Sequence, residues 1–441
     1  MREIINIQIG KGGNQIGLDF WEALHIEHSL DPYGDLNHSS DYQKEKFNVY
    51  FLETIKGSYC ARSIQVDSDP DFINEIQQSY IQNLFSQSSF IYGNSSSNNN
   101  FSQGYSQLEL LDQVQEEIRL QAEQSECLQG FQLMRSLGGG TGSGYGSLIL
   151  QMLNDLYPKN MISNFSIFPT PGVNDIIVEP YNAVLSIPGL YSQSNFCFSF
   201  HNGTLNKILM KIIGNNTPSL KDLNTIIKQS ISGVTALWRF PSQISNDIRK
   251  FAMNLVPFPN LNYINISLHL QMNQALENNR NFMNHSLNTE KLVEFSSNYV
   301  FRGIDQRKYN IQEDMANLLK ISNQSFWIPD NKQLIQISQT FLNQHQQAAL
   351  KIQSGSSVKE MLQSQLNSFN FLYKRRAYLS FYDRLDEMDF VEAKTTLENI
   401  ISDYNEFENC KSNCEIIDET HNQNKLSQFE QDSNCFTSLN F

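Results

Sequence analysis

Between Ser136 and Leu150 the chain reads SLGGGTGSGYGSLIL, with five glycines in the seven residues from 138 to 144. An apolar run, FQLMRS, precedes this segment, and a helix-like stretch, YGSLILQMLNDLY, follows it. Glycine at a helix entrance costs roughly 0.5–1 kcal/mol relative to alanine, so something must compensate. Two compensations are available: a turn too tight for a Cβ, or a phosphate group drawn close to bare backbone N–H groups at a helix start. A second turn of the same kind, GKGGNQIG (10–17), follows EIINIQI (3–9), where Ile5, Ile7 and Ile9 alternate as in a strand. LDFWEALHIEH comes next, apolar at helical spacing, and SNFSIFPT (163–170) is a further β-rich run. Strand, glycine turn and helix occur twice. The expected fold is therefore α/β, a mostly parallel sheet with helices on both faces, binding its ligand at the carboxyl ends of the strands.

Either glycine turn alone is a weak signal that a tight turn could also explain, whereas two in one α/β domain favour a nucleotide. GGGTGSG is no Walker A loop, since GK[ST] does not follow, and no acid stands some twenty residues on at a strand end, as a dinucleotide fingerprint requires. A net charge of −14 disfavours a nucleic-acid partner. No apolar run reaches the length of a membrane span, and MREIINIQIG lacks the apolar core of a signal peptide, so no membrane partner and a cytoplasmic location are expected. Cys410 and Cys414 form a C-x3-C pair without a second pair or a histidine cluster, which favours ordinary thiols over a metal site. NSSSNNN (94–100) reads as a loop, and residues 260–300 give no firm pattern. The chain turns helical from Phe369, and 411–441 has the composition of a disordered tail.

SLGGGTGSG resembles the signature of the tubulin family. MREI at the start, GNQIG (13–17), VEPYNA (178–183), RFP (239–241), RK (249–250), NLVPFP (254–259), FRG (301–303), WIP (327–329) and DEMDF (386–390) occur in consistent order over residues 1 to about 410, and the set is most similar to the β-tubulin branch. The resemblance implies a GTP-binding domain (1–203), a second mixed α/β domain (204–368), C-terminal helices (369–410) and the tail. It also implies a structural subunit of microtubules in the cytoskeleton, with α-tubulin as heterodimer and longitudinal partner. By the same resemblance Ser136, Gly140, Thr141 and Gly142 would cradle the phosphates of GTP or GDP, and Asn99 would lie in a second phosphate loop. Asp69 would help to hold Mg²⁺, its alternative role being a helix N-cap. Glu179 would contact the ribose, with Asp175 in the same loop. Asn202 and Asn224 would read the guanine edge, which an amide suits because it both donates and accepts; either alone could be a capping or surface residue.

Several positions depart from the family pattern. Lys11 stands where glutamine is typical and would add positive charge near the β- and γ-phosphates. Ser96 and Asn98 occupy glycine positions, Leu220 replaces an aromatic ring that stacks on the base, and His201, beside Asn202, could take a polar role or be an ordinary surface histidine. SQISNDIRK (242–250) matches the loop that presses into the next subunit's nucleotide, with Asp247 retained and Ser242 and Ser245 changed. Lys250 stands where α-tubulin carries a water-activating glutamate. A protonated lysine cannot be a general base at neutral pH, so this chain should not hydrolyse its partner's nucleotide, and its own GTP would be cleaved only when an α-type subunit supplies the acid. Between Pro259 and Phe301 the chain is shorter than the family norm, in the region of the lateral-contact loop. The tail carries Glu415, Asp418, Glu419, Glu430 and Asp432 but no glutamate block. These departures leave open a minor isotype of ordinary microtubules and, favoured by them, a specialised or non-polymerising regulatory tubulin of cilia or basal bodies. A dinucleotide oxidoreductase would need a ribose-binding acid that the first strand–helix unit lacks. A tubulin-like module without nucleotide is motivated by Leu220 and the 94–100 loop.

Overall fold

The computed structural model describes residues 2–36, 41–170, 176–213, 218–241, 247–271, 293–303, 334–338, 340–341 and 347–409. Among the described residues twelve strands are formed: β1 (Glu3–Ile9), β2 (Phe51–Glu53), β3 (Tyr59–Ala61), β4 (Ser63–Asp67), β5 (Phe90–Tyr92), β6 (Leu128–Ser136), β7 (Met161–Phe168), β8 (Phe196–His201), β9 (Tyr263–Gln271), β10 (Glu294–Arg302), β11 (Leu334–Ser338) and β12 (Gln347–Gly355). Ten of them make one sheet in the order β11-β10-β12-β9-β8-β7-β6-β1-β4-β5, and β2 and β3 form a separate hairpin. From β5 to β9 every neighbour is parallel. Beyond β9 the sheet turns mixed, with β12 antiparallel to both β9 and β10. The two halves meet in a narrow seam, where β8 and β9 pair only at Cys197↔Tyr263 and Phe198↔Ile264.

The expected α/β architecture is borne out. All seven residues of β1 are buried, because a parallel central strand is covered on both faces. Ile5, Ile7 and Ile9 enter a core with the helices Leu108–Glu123, Gly146–Leu156 and Glu179–Gln193. The helix Val358–Tyr373 and a helix over 387–409 complete that layer through Leu362, Phe369, Phe390, Leu397 and Tyr404. Ile4 faces the other way, into a core with Phe20, Trp21 and Leu24 of the helix Gly10–Glu27 and with Ile231 and Leu237 of the helix Leu220–Arg239. Asn6 and Gln8 are buried too; Gln8 Nε2 donates to Asn6 Oδ1 (3.1 Å) and Ser63 Oγ (3.2 Å). Two glycines of the first turn serve this packing, since a Cβ at Gly17 would stand 2.1 Å from the Gln8 side chain and one at Gly13 2.2 Å from the Met134 carbonyl.

A charged knot ties the halves together. Glu27, at the end of the helix Gly10–Glu27, accepts from Arg239 Nη1 (2.9 Å), from Arg302 Nη1 (3.2 Å) and Nη2 (3.0 Å), and from Ser232 Oγ (2.5 Å). Arg239 ends the helix Leu220–Arg239 and Arg302 ends β10, so one buried carboxylate holds three elements. His28 stacks on Phe240 with centroids 4.8 Å apart, its Nε2 accepts from Arg239 Nη1 (3.3 Å) and its Nδ1 donates to the Gln43 carbonyl (3.2 Å). Among the described residues no helix is long and apolar enough to cross a membrane. The 94–100 segment is a loop, as its composition predicts. The expectations for 411–441, Cys410 and Cys414, Ser242, Ser245 and WIP (327–329) lie outside the described residues.

Candidate functional site

Because β5, β4, β1, β6, β7 and β8 run parallel, their carboxyl ends share one edge of the sheet, and the loops leaving them converge there. Gly10 turns the chain out of β1 with φ +72°, a conformation that favours glycine. A Cβ on Gly10 would stand 3.0 Å from the Gly142 nitrogen, so the two glycine turns touch. After Ser136, which is half-buried, the chain enters a π-helical turn over Thr141–Tyr145 and then the helix Gly146–Leu156. Such widened turns are frequent at functional sites.

The first compensation, a turn too tight for a Cβ, operates at three of the glycines. At Gly140 a Cβ would meet Asn100 N at 2.5 Å, at Gly142 Ser136 O at 2.2 Å, and at Gly144 Phe101 O at 2.2 Å; these three permit backbone crossings. Gly139 differs, its nearest neighbour being Asn99 Oδ1 at 3.8 Å, so its bare face looks onto the open space between the two loops. Thr141 is buried, and its hydroxyl meets Ser68 Oγ (2.5 Å) and Ser97 Oγ (2.9 Å), tying the end of β4, the 94–100 loop and the glycine loop together. In the 94–100 loop Asn98 and Asn99 have φ +49° and +54°. Asparagine tolerates this left-handed backbone, so Asn98 supplies the conformation for which glycine would otherwise be needed.

The acids at the end of β4 divide their work. Asp69 is half-buried and caps the helix Pro70–Gln77, accepting from Asp71 N at 3.0 Å. Asp67 is buried, and sequence reasoning missed it although IQVDSDP displays both acids. Burial raises its carboxyl to about 6, against hydrogen bonds from the Asp69 and Ser68 N–H groups, and the Asp69 charge adds to the rise. Among the described residues no group of three or more His, Cys, Asp or Glu could hold a metal alone. Two carboxylates suffice for Mg²⁺ when substrate phosphates and water complete the shell, and the donor set fits that ion.

Glu179 is the first residue of the helix Glu179–Gln193 and is buried; a Cβ on Gly138 would stand 2.8 Å from its Oε1, so its carboxylate lies against the glycine loop. Asn202 is buried and opens the helix Asn202–Ile213. Beside it His201 is held between Thr170 (3.0 Å) and Thr204 (3.0 Å), and burial, with Lys207 adding to it, lowers its pKa and keeps the ring neutral. Asn224 is half-buried on the helix Leu220–Arg239, whose first residue, Leu220, is 57% exposed. Lys11 is exposed in the first turn of the helix Gly10–Glu27, which carries no acid there. Asp175 lies outside the described residues.

Asn182, quoted only as part of VEPYNA, proves to be the joint of the site. It is fully buried; its Nδ2 donates to Asn99 O and Gly138 O (both 2.7 Å), and its Oδ1 accepts from Phe101 N (3.0 Å) and Tyr382 OH (2.8 Å). One amide thus joins the glycine loop, the 94–100 loop and the C-terminal segment with its full hydrogen-bonding capacity. Asn182→Ala strands those partners in the interior and is expected to lower stability by about 2–4 kcal/mol, which denaturant unfolding measures; a change under about 0.5 kcal/mol would mean that water replaces the amide.

Asp247 and Lys250 sit at the opposite edge. Asp247 pairs with Arg2, which precedes β1, and Arg249 Nη2 donates to the Lys159 carbonyl (2.8 Å), just before β7. The helix Ile248–Leu255, with Lys250 exposed on it, therefore lies at the amino ends of the strands. Residues 3–210 match the family model described as Tubulin/FtsZ family, GTPase domain. The match spans β1, both glycine turns, the acids of β4, Glu179 and Asn202, the elements that build this edge. Over this segment the chain is thus similar to the GTPase domain of the Tubulin/FtsZ family, which supports a guanine-nucleotide-binding, tubulin-like protein.

Proposed function

We propose that the chain is a β-type tubulin subunit of the cytoskeleton, holding GTP or GDP with Mg²⁺ at the carboxyl edge and pairing with α-tubulin. The observation that carries this is the placement of the two functional segments at opposite edges of one sheet, the glycine loops at one and the helix bearing Asp247 and Lys250 at the other. A subunit so built stacks head to tail, each nucleotide edge meeting the far edge of a neighbour, which is the heterologous geometry of filaments. In this arrangement backbone N–H groups of Gly140–Gly142 receive the phosphates, Asp67 and Asp69 face the cation, Glu179 the ribose, and Asn202 and Asn224 the base. Bound Mg²⁺ would supply charge neutralisation at the phosphates. Lys250 brings no carboxylate to a neighbour's nucleotide, and the chain's own GTP awaits an acid from the α-type subunit that meets its carboxyl edge.

A second reading, a specialised tubulin of cilia or basal bodies, draws on the short stretch between Pro259 and Phe301. Co-sedimentation separates the two. With α/β-tubulin and GTP, the tagged chain should pellet in proportion to input and carry GDP. Recovery in the supernatant with α-tubulin and GTP selects the specialised role, and loss of all nucleotide on desalting overturns both. Lys11→Gln is expected to release nucleotide about fivefold faster and to deepen the requirement for Mg²⁺, the loss of about 1 kcal/mol from a partly exposed charge. Unchanged release in stopped-flow exchange would remove Lys11 from the phosphate field.

A further inference from the structure

Arg135, one residue before the end of β6, is buried beneath the glycine loop, 1% exposed, on the face that carries Ile5, Ile7 and Ile9. Its Nη1 makes two long hydrogen bonds, to Gly142 O and Ser147 Oγ, both at 3.4 Å. Its Nε and Nη2 meet no acceptor among the described residues. The start of the helix Gly146–Leu156 closes over it, since a Cβ on Gly146 would stand 2.7 Å from Nη1.

The neighbouring strands bring more unsatisfied polar groups to the same face. The register sets Arg135 beside Ser166, Asn164 beside Cys197, and Cys197 beside Tyr263. Both amide atoms of Asn164 and the Tyr263 hydroxyl are buried without a hydrogen-bond partner among the described residues. The titratable groups that influence Arg135 are Cys197 and Tyr263. Burial pushes the Cys197 thiol up to about 12 and the Tyr263 phenol upward, so both stay neutral. Burial also lowers Arg135 to about 10, which still leaves it charged at neutral pH. The result is a positive charge in the interior whose surroundings offer hydrogen-bond donors from three strands and no carboxylate. A buried ion left so costs several kcal/mol, and the remedy is a counter-ion.

We propose that Arg135, Asn164 and Tyr263 form a buried site for one small monovalent anion of the halide class. A single guanidinium calls for a single negative charge, and the site offers Nε–H, Nη2–H, the Asn164 amide and the Tyr263 hydroxyl to a spherical acceptor. The site lies between the strands below and the start of the helix Gly146–Leu156 above, where Gly146 closes on the guanidinium. The inference is independent of the nucleotide reading.

The test uses the full chain with GTP held saturating, melted in potassium gluconate and in potassium chloride at equal ionic strength, with bound nucleotide measured in the same samples. Chloride should raise the midpoint saturably by ~2 °C or more, as a ligand of the native state does, with nucleotide content unchanged. Arg135→Met should lose the chloride response. Should that variant fail to fold, crystals of the unaltered chain grown in bromide decide, with an anomalous peak expected within hydrogen-bonding distance of Arg135. A melting midpoint indifferent to the exchange of gluconate for chloride, or a water molecule where the bromide peak is expected, overturns the proposal.

Discussion

Glu27→Gln is expected to cost about 3–5 kcal/mol of folding stability, enough to leave much of the chain unfolded at 37 °C. Glu27 is the single carboxylate between two guanidinium groups, and the side chains of all three are at most 1% exposed. Breaking a buried pair by removing one partner leaves charge without compensation, and here two charges lose it together. Glutamine keeps the shape but offers one acceptor oxygen, and turns its NH₂ toward guanidinium donors that lose their carboxylate with the substitution. Chemical denaturation reads the loss directly; a change under about 1 kcal/mol would mean that Arg239 and Arg302 find other acceptors. The same knot makes the fold acid-sensitive. Burial, with Arg239 adding to it, holds His28 down to about 3, and although burial opposes it, Arg302 and Arg239 hold Glu27 down to about 2. In the unfolded chain these groups take protons near 6.5 and 4.5. The unfolded state therefore binds more protons over both windows, and stability falls on acidification, from about pH 6.5 downward for His28 and from about 4.5 for Glu27, each by up to about 1.4 kcal/mol per pH unit. His28→Gln should flatten the upper window, and an unchanged stability profile between pH 6.5 and 4.5 would exclude His28 as its source.

That knot shows which features the sequence displays and which it hides. Arg239 and Arg302 stand in RFP and FRG, and Glu27 closes the first helix, but 212 and 275 residues separate the partners. Nothing local announces the pairing. Periodicity is local, so Ile5, Ile7 and Ile9 reveal β1, and the glycine turns reveal the edge where ligands bind. Asn6 and Gln8, however, look like the solvated face of a strand and are buried; Gln8 Nε2 donates to Asn6 Oδ1 and Ser63 Oγ, while Asn6 Nδ2 and Gln8 Oε1 meet no partner among the described residues. The region 260–300 resists reading for a related reason. β9 and β10 lie at its margins, and β10 is buried along its whole length although SSN interrupts its apolar residues. At the site, hydroxyls and acids were legible by type, but their division of labour was not. Asp67 and Asp69 are chemically alike, and only the burial of one and the capping geometry of the other set them apart. Asn182 carries no local signal of its four hydrogen bonds, since its partners come from three distant segments.

The glycine loop provides the sharpest separation of packing from ligand binding, because two of its glycines predict opposite outcomes. Gly142→Ala places a methyl 2.2 Å from the Ser136 carbonyl, a backbone atom that cannot swing aside. The loop must shift, the Gly10 turn that rests on Gly142 must shift with it, and Thr141 is drawn from Ser68 and Ser97. Overpacking of this kind costs about 1–3 kcal/mol, and the N–H groups proposed to receive the phosphates lose their alignment, so nucleotide affinity should fall by about a hundredfold or more. Gly139→Ala meets nothing closer than Asn99 Oδ1 at 3.8 Å. Its stability should stay within about 0.5 kcal/mol of the unaltered chain, as for a surface substitution. Its methyl nevertheless enters the space where the phosphates would lie, and nucleotide retained after desalting should drop about tenfold, the ~1.4 kcal/mol of a displaced backbone contact. Melting curves and nucleotide content, measured on both variants, test the pair. A Gly142→Ala chain that melts normally would deny the backbone crossing, and a Gly139→Ala chain that keeps its full complement of GTP would place the phosphates away from this loop.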